Sequence, residues 1–242
     1  MEIQLYQKNK HRILYDADHH AQITEHWFNT DWWQENQAII NEPDGGRGQA
    51  FFIKPDKGTE LVLRHYRRGG LIARISQDHY LYTGLEQSRP WQEFRLTCQL
   101  AEMGLPVPRP VAAHLYRTGI GYQADLLTER LPGARPFSHY LENPDPHLWQ
   151  ATGQTLARFH RAGLNHSDLN ANNILVNDSG SVWLIDFDRC QLEKKPDSHQ
   201  QEWQKSNIER LKRSILKLTG LSVPPANWFS LVNSYEALLK DG

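Results

Sequence analysis

The chain has 242 residues, of which 39% are hydrophobic and 23% charged, enough to bury a core as one large domain or as two lobes. Its net charge of −1 argues against a nucleic-acid partner, and no run of about eighteen apolar residues offers a membrane-spanning helix. Two cysteines, Cys98 and Cys190, are too few for a disulfide framework or a structural zinc site, and the first residues lack the apolar block of a signal peptide, so a cytoplasmic setting is expected.

Residues 1–24 are mixed and weakly patterned, suited to a short strand or arm. Within 28–40, Asp31-Trp32-Trp33 predicts a short, N-capped helix whose tryptophans pack inward. Glycines at 45, 46 and 48, ahead of the apolar stretch 50–53, suit a loop whose backbone amides approach phosphates closely. Residues 55–58 form a turn and 60–66 a second strand, with Arg64 near its end where a phosphate-pairing cation belongs. The segment 61–75 carries four arginines and no acid. Ser88-Arg89-Pro90 opens a helix with Trp91, Phe94, Leu100 and Met103 on its apolar face, stopped by Gly104 and Pro106. Its Glu93 can ion-pair with Arg64.

An extended connector over 106–110 and a strand over 121–131 lead to Pro132-Gly133, where a hinge is expected between an N-terminal lobe, 1–130, and a C-terminal lobe, 131–242. Asp145-Pro146 caps a helix that runs to 161, and Gly163 stops it. After Cys190 a polar stretch, 193–205, grades into a helix with Trp203, Ile208, Leu211, Ile215 and Leu218 on one face. A last helix over 228–239 turns Leu231, Tyr235 and Leu238 inward.

The chemistry concentrates between these helices, in His166-Ser167-Asp168-Leu169-Asn170-Ala171-Asn172-Asn173 and, eighteen positions after Asp168, Asp186-Phe187-Asp188. Between them 174–176 and 182–185 are apolar and 177–180 is a polar turn with Gly180, so a hairpin should draw Asp168, Asn173 and Asp186 together. One carboxylate to take a proton from an acceptor hydroxyl, with a second carboxylate and an amide oxygen to hold magnesium, is the set that phosphoryl transfer requires.

The order of these elements resembles the protein kinase-like superfamily, and the match to its motifs runs from about residue 40 to 190. The resemblance implies an α+β, bilobal protein kinase-like fold with a small β-rich N-lobe and a mainly helical C-lobe. It implies ATP and Mg2+ as cofactors, with Asp168 as catalytic base and Asn173 and Asp186, assisted by Asp188, as metal ligands. Gly45, Gly46 and Gly48 would cover the phosphates, Arg64 would pair with them beside Glu93, and the backbone from Glu129 to Leu131 would meet adenine. His166 would brace the loop. The sequence departs from protein kinases at Ser167, where an arginine commonly reads an activation-loop phosphate, at Asp188, where glycine is usual, and at Arg64, where lysine is expected. A protein-substrate platform is accordingly not expected.

Gly45-Gly46-Arg47-Gly48, the run from Leu63 to Ile72, Leu105-Pro106-Val107-Pro108-Arg109-Pro110 and the loop from His166 to Asn173 are similar to the lipopolysaccharide-core kinases of Gram-negative bacteria, in particular those acting on 3-deoxy-D-manno-octulosonate (Kdo). This resemblance spans nearly the whole chain. It implies phosphorylation of the 4-hydroxyl of a Kdo residue on a lipid A precursor, an anionic glycolipid, by an enzyme peripheral to the cytoplasmic face of the inner membrane. Arg67, Arg68 and Arg74, interleaved with Leu71, Ile72 and Ile75, would then dock the membrane-borne acceptor. A small-molecule kinase of the aminoglycoside phosphotransferase type shares the loop layout, but a cationic acceptor favours an acidic lobe and the residues from Glu193 onward are mixed in charge. A catalytically dead binding module would have lost the base or a metal ligand, and Asp168, Asn173 and Asp186 are all present.

Overall fold

The computed structural model describes residues 1–18, 22–41, 50–55, 58–67, 78–142, 145–193, 200–220 and 225–240. The chain divides into two compact units, Met1–Cys98 with Pro108–Arg130, and Gln99–Val107 with Leu131–Gly242.

The first unit is built on an antiparallel sheet of β1 (Ile3–Lys8), β2 (His11–Asp16), β3 (Ile39–Asn41), β4 (Ala50–Ile53), β5 (Leu61–His65), β6 (Tyr80–Leu81), β7 (Pro110–Thr118) and β8 (Gly121–Glu129). Its order is β1-β2-β7-β8-β5-β4-β3, with β6 pairing β8. Alternate side chains of a strand face opposite ways, and here both faces are covered. Ile13, Tyr15, Ile53, Leu61, Leu63, Ala112 and Leu127 pack with Trp33 of the short helix α1 (Thr30–Glu35). Leu14, Tyr66, Ala113, Leu115, Ala124 and Leu126 pack with Trp91, Phe94 and Cys98 of α2 (Arg89–Glu102). Burial on both sides explains why the first six residues of β7 are buried without alternation.

The weakly patterned N-terminus forms the expected strand together with a second one, a β1–β2 hairpin turned at Asn9 (φ +52°), and its edge strand β1 is mostly solvated, which erases the alternation. Two expectations need correction in this unit. Helix α1 is capped two residues earlier than Asp31, by Asn29, whose side chain accepts from the amides of Asp31 and Trp32, and 39–41 is a strand rather than helix. Met103 lies past the end of α2 and is 49% exposed, so it adds little to that helix's buried face.

The second unit centres on α3 (Pro146–Arg161), α4 (Gln200–Leu218) and α5 (Pro225–Lys240). Asp145 caps α3 by accepting from the His147 amide at 2.9 Å, Pro146 takes the first helical position, and Gly163 leaves the helix at φ +88°. α3 and α5 approach so closely that a Cβ on Gly153 would sit 2.2 Å from the Leu231 carbonyl oxygen. His160 of α3 meets the Tyr235 hydroxyl at 2.7 Å, and burial pushes its pKa down to about 3, so the junction is neutral. On α4, Leu211 and Ile215 are buried as the spacing requires, but Leu218 is half exposed at the final turn. Strands β9 (Arg135–Pro136), β11 (Ile174–Val176) and β12 (Val182–Leu184) form one small sheet, and β10 (Leu164–Asn165) pairs with β13 (Gln191–Leu192) in another. Those two small sheets fix the ends of everything between 164 and 192.

Candidate active site

The loop between β10 and β11 is held by its own asparagines. Asn170 Oδ1 accepts from the amides of Asn172 and Asn173, a side-chain-closed turn, while its Nδ2 donates to the Asp168 carbonyl at 3.0 Å. Asn173 Nδ2 donates to that same carbonyl at 2.9 Å. Leu169 and Ala171 are fully buried and root the loop in the core. Asp168 is thus rigid at its backbone and exposed at its side chain.

The β11–β12 hairpin pairs Ile174 with Leu184, and its turn is closed by Asn177 Oδ1, which accepts from the Ser181 amide, with Gly180 at φ +79°. One residue beyond the paired strands, the Ile185 amide donates to the Asn173 carbonyl at 3.0 Å. Asp186 therefore follows directly on a residue bonded to Asn173, and Asn173 is bonded to Asp168, so the hairpin brings the three together. Asp186 sits in the left-handed region at φ +64°, as does Arg189 at φ +57°. Non-glycine residues rarely take that conformation, and their surroundings must hold them there. Here Phe187 is buried against His166 and Phe159, and Ser167 Oγ donates to the Asp188 carbonyl at 2.9 Å.

His166 locks the two stretches together. It is 1% exposed, its Nε2 meets the Ile185 carbonyl at 3.1 Å, and its Nδ1 accepts from the Asp168 amide at 3.3 Å. These partners assign the neutral tautomer with the proton on Nε2. Burial, outweighing the Ile185 carbonyl and the nearby acids, holds its pKa below 6.5. Sequence reasoning missed the support from α4: Asn207 Oδ1 accepts from the His166 amide at 2.9 Å, its Nδ2 donates to Asn165 Oδ1, and Ser214 Oγ accepts from the Ala171 amide. A polar residue inside a buried helix face was the available signal, since such a side chain must be satisfied by something.

In the first unit Arg64 and Glu93 are paired. Arg64 Nη2 lies 2.5 Å from Glu93 Oε1, the Tyr66 hydroxyl donates to Glu93 Oε2, and the guanidinium stands 4.9 Å from the Tyr66 ring centre. Glu93 is 2% exposed and Arg64 is partly open. A carboxylate buried this far needs its cation, and the pair fixes Arg64 in place. At the end of β8 the Glu129 amide donates to the Arg109 carbonyl and the Arg130 amide to the Glu60 carbonyl. Gly45, Gly46 and Gly48 lie outside the described residues.

The arrangement in the second unit, an exposed carboxylate on a braced loop beside an amide and a second carboxylate, defines the class. A Rio2 kinase from Chaetomium thermophilum, solved as an ADP/Mg2+-phosphoaspartate complex, superposes with a TM-score of 0.50 over 87% of this chain and 75% of its own, at 15% identity, and the fold is protein kinase-like. Within that class, the model of the lipopolysaccharide kinase (Kdo/WaaP) family matches residues 30–235, and the chain belongs to that family. Among its relatives, the 3-deoxy-D-manno-octulosonic acid kinase of Vibrio parahaemolyticus is 42% identical over 217 residues, covering 89% of this chain and 88% of its own. The protein of the same name from Stenotrophomonas maltophilia is 44% identical over 209 residues, 86% of this chain and 81% of its own.

Proposed function

We propose that this chain transfers the γ-phosphoryl group of ATP to the 4-hydroxyl of a Kdo residue on a lipid A precursor, at the cytoplasmic face of the bacterial inner membrane. The names of its relatives support Kdo as the sugar that is phosphorylated. The observation that carries the chemistry is the Asp168 carboxylate, exposed on a loop whose backbone two amide side chains clamp. Positioning supplies most of the catalysis in phosphoryl transfer, so a rigid base is what the reaction needs.

Asp168 accepts the proton of the acceptor hydroxyl as its oxygen bonds to the γ-phosphorus and the bond to the β–γ bridging oxygen breaks, releasing ADP. The donor set fits magnesium. Asn173 commits its Nδ2 to the Asp168 carbonyl, which turns Oδ1 away as a ligand, and Asp186 supplies a hard carboxylate oxygen from a fixed backbone. Asp188 is the further oxygen donor of this set. Magnesium bound there neutralises charge on the phosphate oxygens. Arg64, oriented by Glu93, pairs with the phosphates, and the glycines at 45, 46 and 48 cover them. Backbone groups from Glu129 to Leu131 meet the adenine edge. Arg67 and Arg68 draw the enzyme to the anionic membrane that bears its acceptor.

The test uses labelled ATP, magnesium and a Kdo-bearing lipid A precursor, counting label in the lipid fraction. Wild type should transfer and Asp168→Asn should lose about 10²–10⁴-fold in rate, while ATP binding persists in both. Undiminished transfer by Asp168→Asn, or no lipid labelling by wild type that binds ATP, overturns the assignment.

A further inference from the structure

Next to the catalytic loop the second unit holds a cavity of about 380 Å³. Two arginines, Arg189 and Arg210, project from its wall, with the uncharged polar groups of Asn165, Gln191 and Ser206 and the ring of Trp203. Ser167, the residue before Asp168, also lines it, and none of the lining residues is acidic. Glu193 Oε1 accepts from the side-chain amides of Asn165 and Gln191 at 2.8 and 2.7 Å, and neither of the two arginines is paired with it. Arg64, Arg109 and Arg130 each lie within 2.7 Å of a carboxylate oxygen. Arg210 has no carboxylate partner among the described residues, and its Nε is buried without any hydrogen-bond partner. Arg189 is exposed, equally unpaired among the described residues, and held at φ +57° only three positions after Asp186. A buried guanidinium N–H left unsatisfied is costly, and its natural complement is an anion.

The remaining lining is suited to a sugar. Trp203 offers a partly buried ring, packed edge-on against His160 at 5.0 Å, on which a pyranose face can rest. The Ser206 hydroxyl can donate and accept and the Gln191 carbonyl oxygen can accept, matching sugar hydroxyls, while the Asn165 amide is held at both ends by Glu193 and Asn207. A volume of this order lies in the range of small-ligand sites.

We propose that this cavity is the subsite for an anionic sugar acid, in which Arg189 and Arg210 grip the carboxylate and Gln191 and Ser206 meet the hydroxyls. The proposal rests on the kinase reading above and deepens it. Phosphoryl acceptors are then selected by their carboxylate, and the ring is held beside the loop that carries Asp168.

Direct binding separates this idea from transfer. The full chain, as wild type, Arg189→Ala, Arg210→Ala and Arg210→Lys, is titrated calorimetrically with free Kdo, with the same sugar reduced at its carboxyl, and with inorganic phosphate. Wild type should bind Kdo saturably, and the reduced sugar about ten-fold more weakly or worse. Each alanine variant should lose about ten-fold or more, and lysine at 210 should recover part of it. Circular dichroism and ATP binding confirm folding, and exposed Arg189 gives a variant with no core to disturb. Absence of saturable Kdo binding, equal binding of the reduced sugar, displacement of Kdo by phosphate at matched concentration, or affinity of Arg189→Ala within about two-fold of wild type overturns the proposal. Kdo binding that depends on both arginines while lipid acceptor stays unlabelled leaves the subsite standing and removes the transfer reading instead.

Discussion

Two asparagine side chains end on one carbonyl, that of Asp168, and a third, Asn207, takes the amide of His166 from a helix forty-one positions away. The loop is therefore rigid because its polar backbone groups are satisfied by side chains, where a surface loop would leave them to water. Asn207→Ala leaves the buried His166 amide unpaired and should destabilise the protein by about 1–3 kcal/mol. If the role is positioning, the rate of transfer should also fall with the KM for ATP little changed, and Asn207→Asp, which keeps the acceptor oxygen, should recover part of the rate. An unchanged rate in a destabilised Asn207→Ala would reduce the residue to a purely structural part. Asp168, Asn173 and Asp186 were legible in the sequence because motif spacing and an intervening hairpin are local features. Asn207 was not, since nothing local says which distant backbone group a buried amide serves. Asn170 was visible as part of the motif, yet its double use as turn-closer and clamp depends on geometry.

At the level of elements, α3 and α5 set a test in which two effects of opposite sign compete. Alanine for glycine inside a helix ordinarily gains about 1 kcal/mol, and Gly153 lies mid-helix in α3. A Cβ there meets the Leu231 carbonyl at 2.2 Å and Ser234 Oγ at 2.4 Å, and backbone of α5 cannot step aside as a flexible side chain can. Overpacking costs about 1–3 kcal/mol or more, so Gly153→Ala should be net destabilising in urea melts; a gain in stability would show that the helices separate freely. The sheet of the first unit makes a second test. Asp125 bridges His65 at 2.6 Å and His114 at 2.8 Å, and although burial opposes its charge, the two histidine bonds hold its pKa below the usual range. The bond to Asp125, outweighing burial, raises the pKa of His65 above 6.5, and burial with the adjacent His114 lowers that of His11 below it. The His65 contribution is complete below pH 6.5 and is lost as pH rises through the raised value; the His11 contribution is lost as pH falls below 6.5. Urea midpoints should thus decline on the alkaline side, and His65→Gln should flatten that decline. A midpoint that climbs steadily to pH 8.5 in both proteins contradicts it. None of this network was visible beforehand, because His65, His114 and Asp125 meet only through the register of β5, β7 and β8. The helices α2 to α5, by contrast, were readable from caps, glycine stops and apolar spacing, with error confined to their ends.

For the whole molecule, charge decides what the membrane can do. With 27 basic and 28 acidic residues the chain has no net attraction for an anionic surface, so any adsorption must come from an uneven distribution. The stretch 61–75 is the uneven part, with four arginines and no acid, and one of them is already committed, since Arg64 is paired with Glu93. Of the other three, Arg67 is exposed, and Arg68 and Arg74 lie outside the described residues. At about 1 kcal/mol per basic residue near an anionic surface, removing two charges should weaken vesicle binding by about 30-fold. The measurement is co-flotation of the full chain with vesicles rich in phosphatidylglycerol, against phosphatidylcholine vesicles, at low and high salt. Wild type should float with the anionic vesicles only, and added salt should release it because screening shortens the reach of exposed charge. Arg67→Gln with Arg68→Gln should stay in the dense fraction while still phosphorylating a water-soluble Kdo acceptor. Equal flotation of wild type on neutral vesicles, or undiminished flotation of the double variant, would place membrane attachment elsewhere in the chain. Loss of transfer to both lipid-linked and soluble acceptors would instead assign the pair to the phosphate site that Arg64 serves.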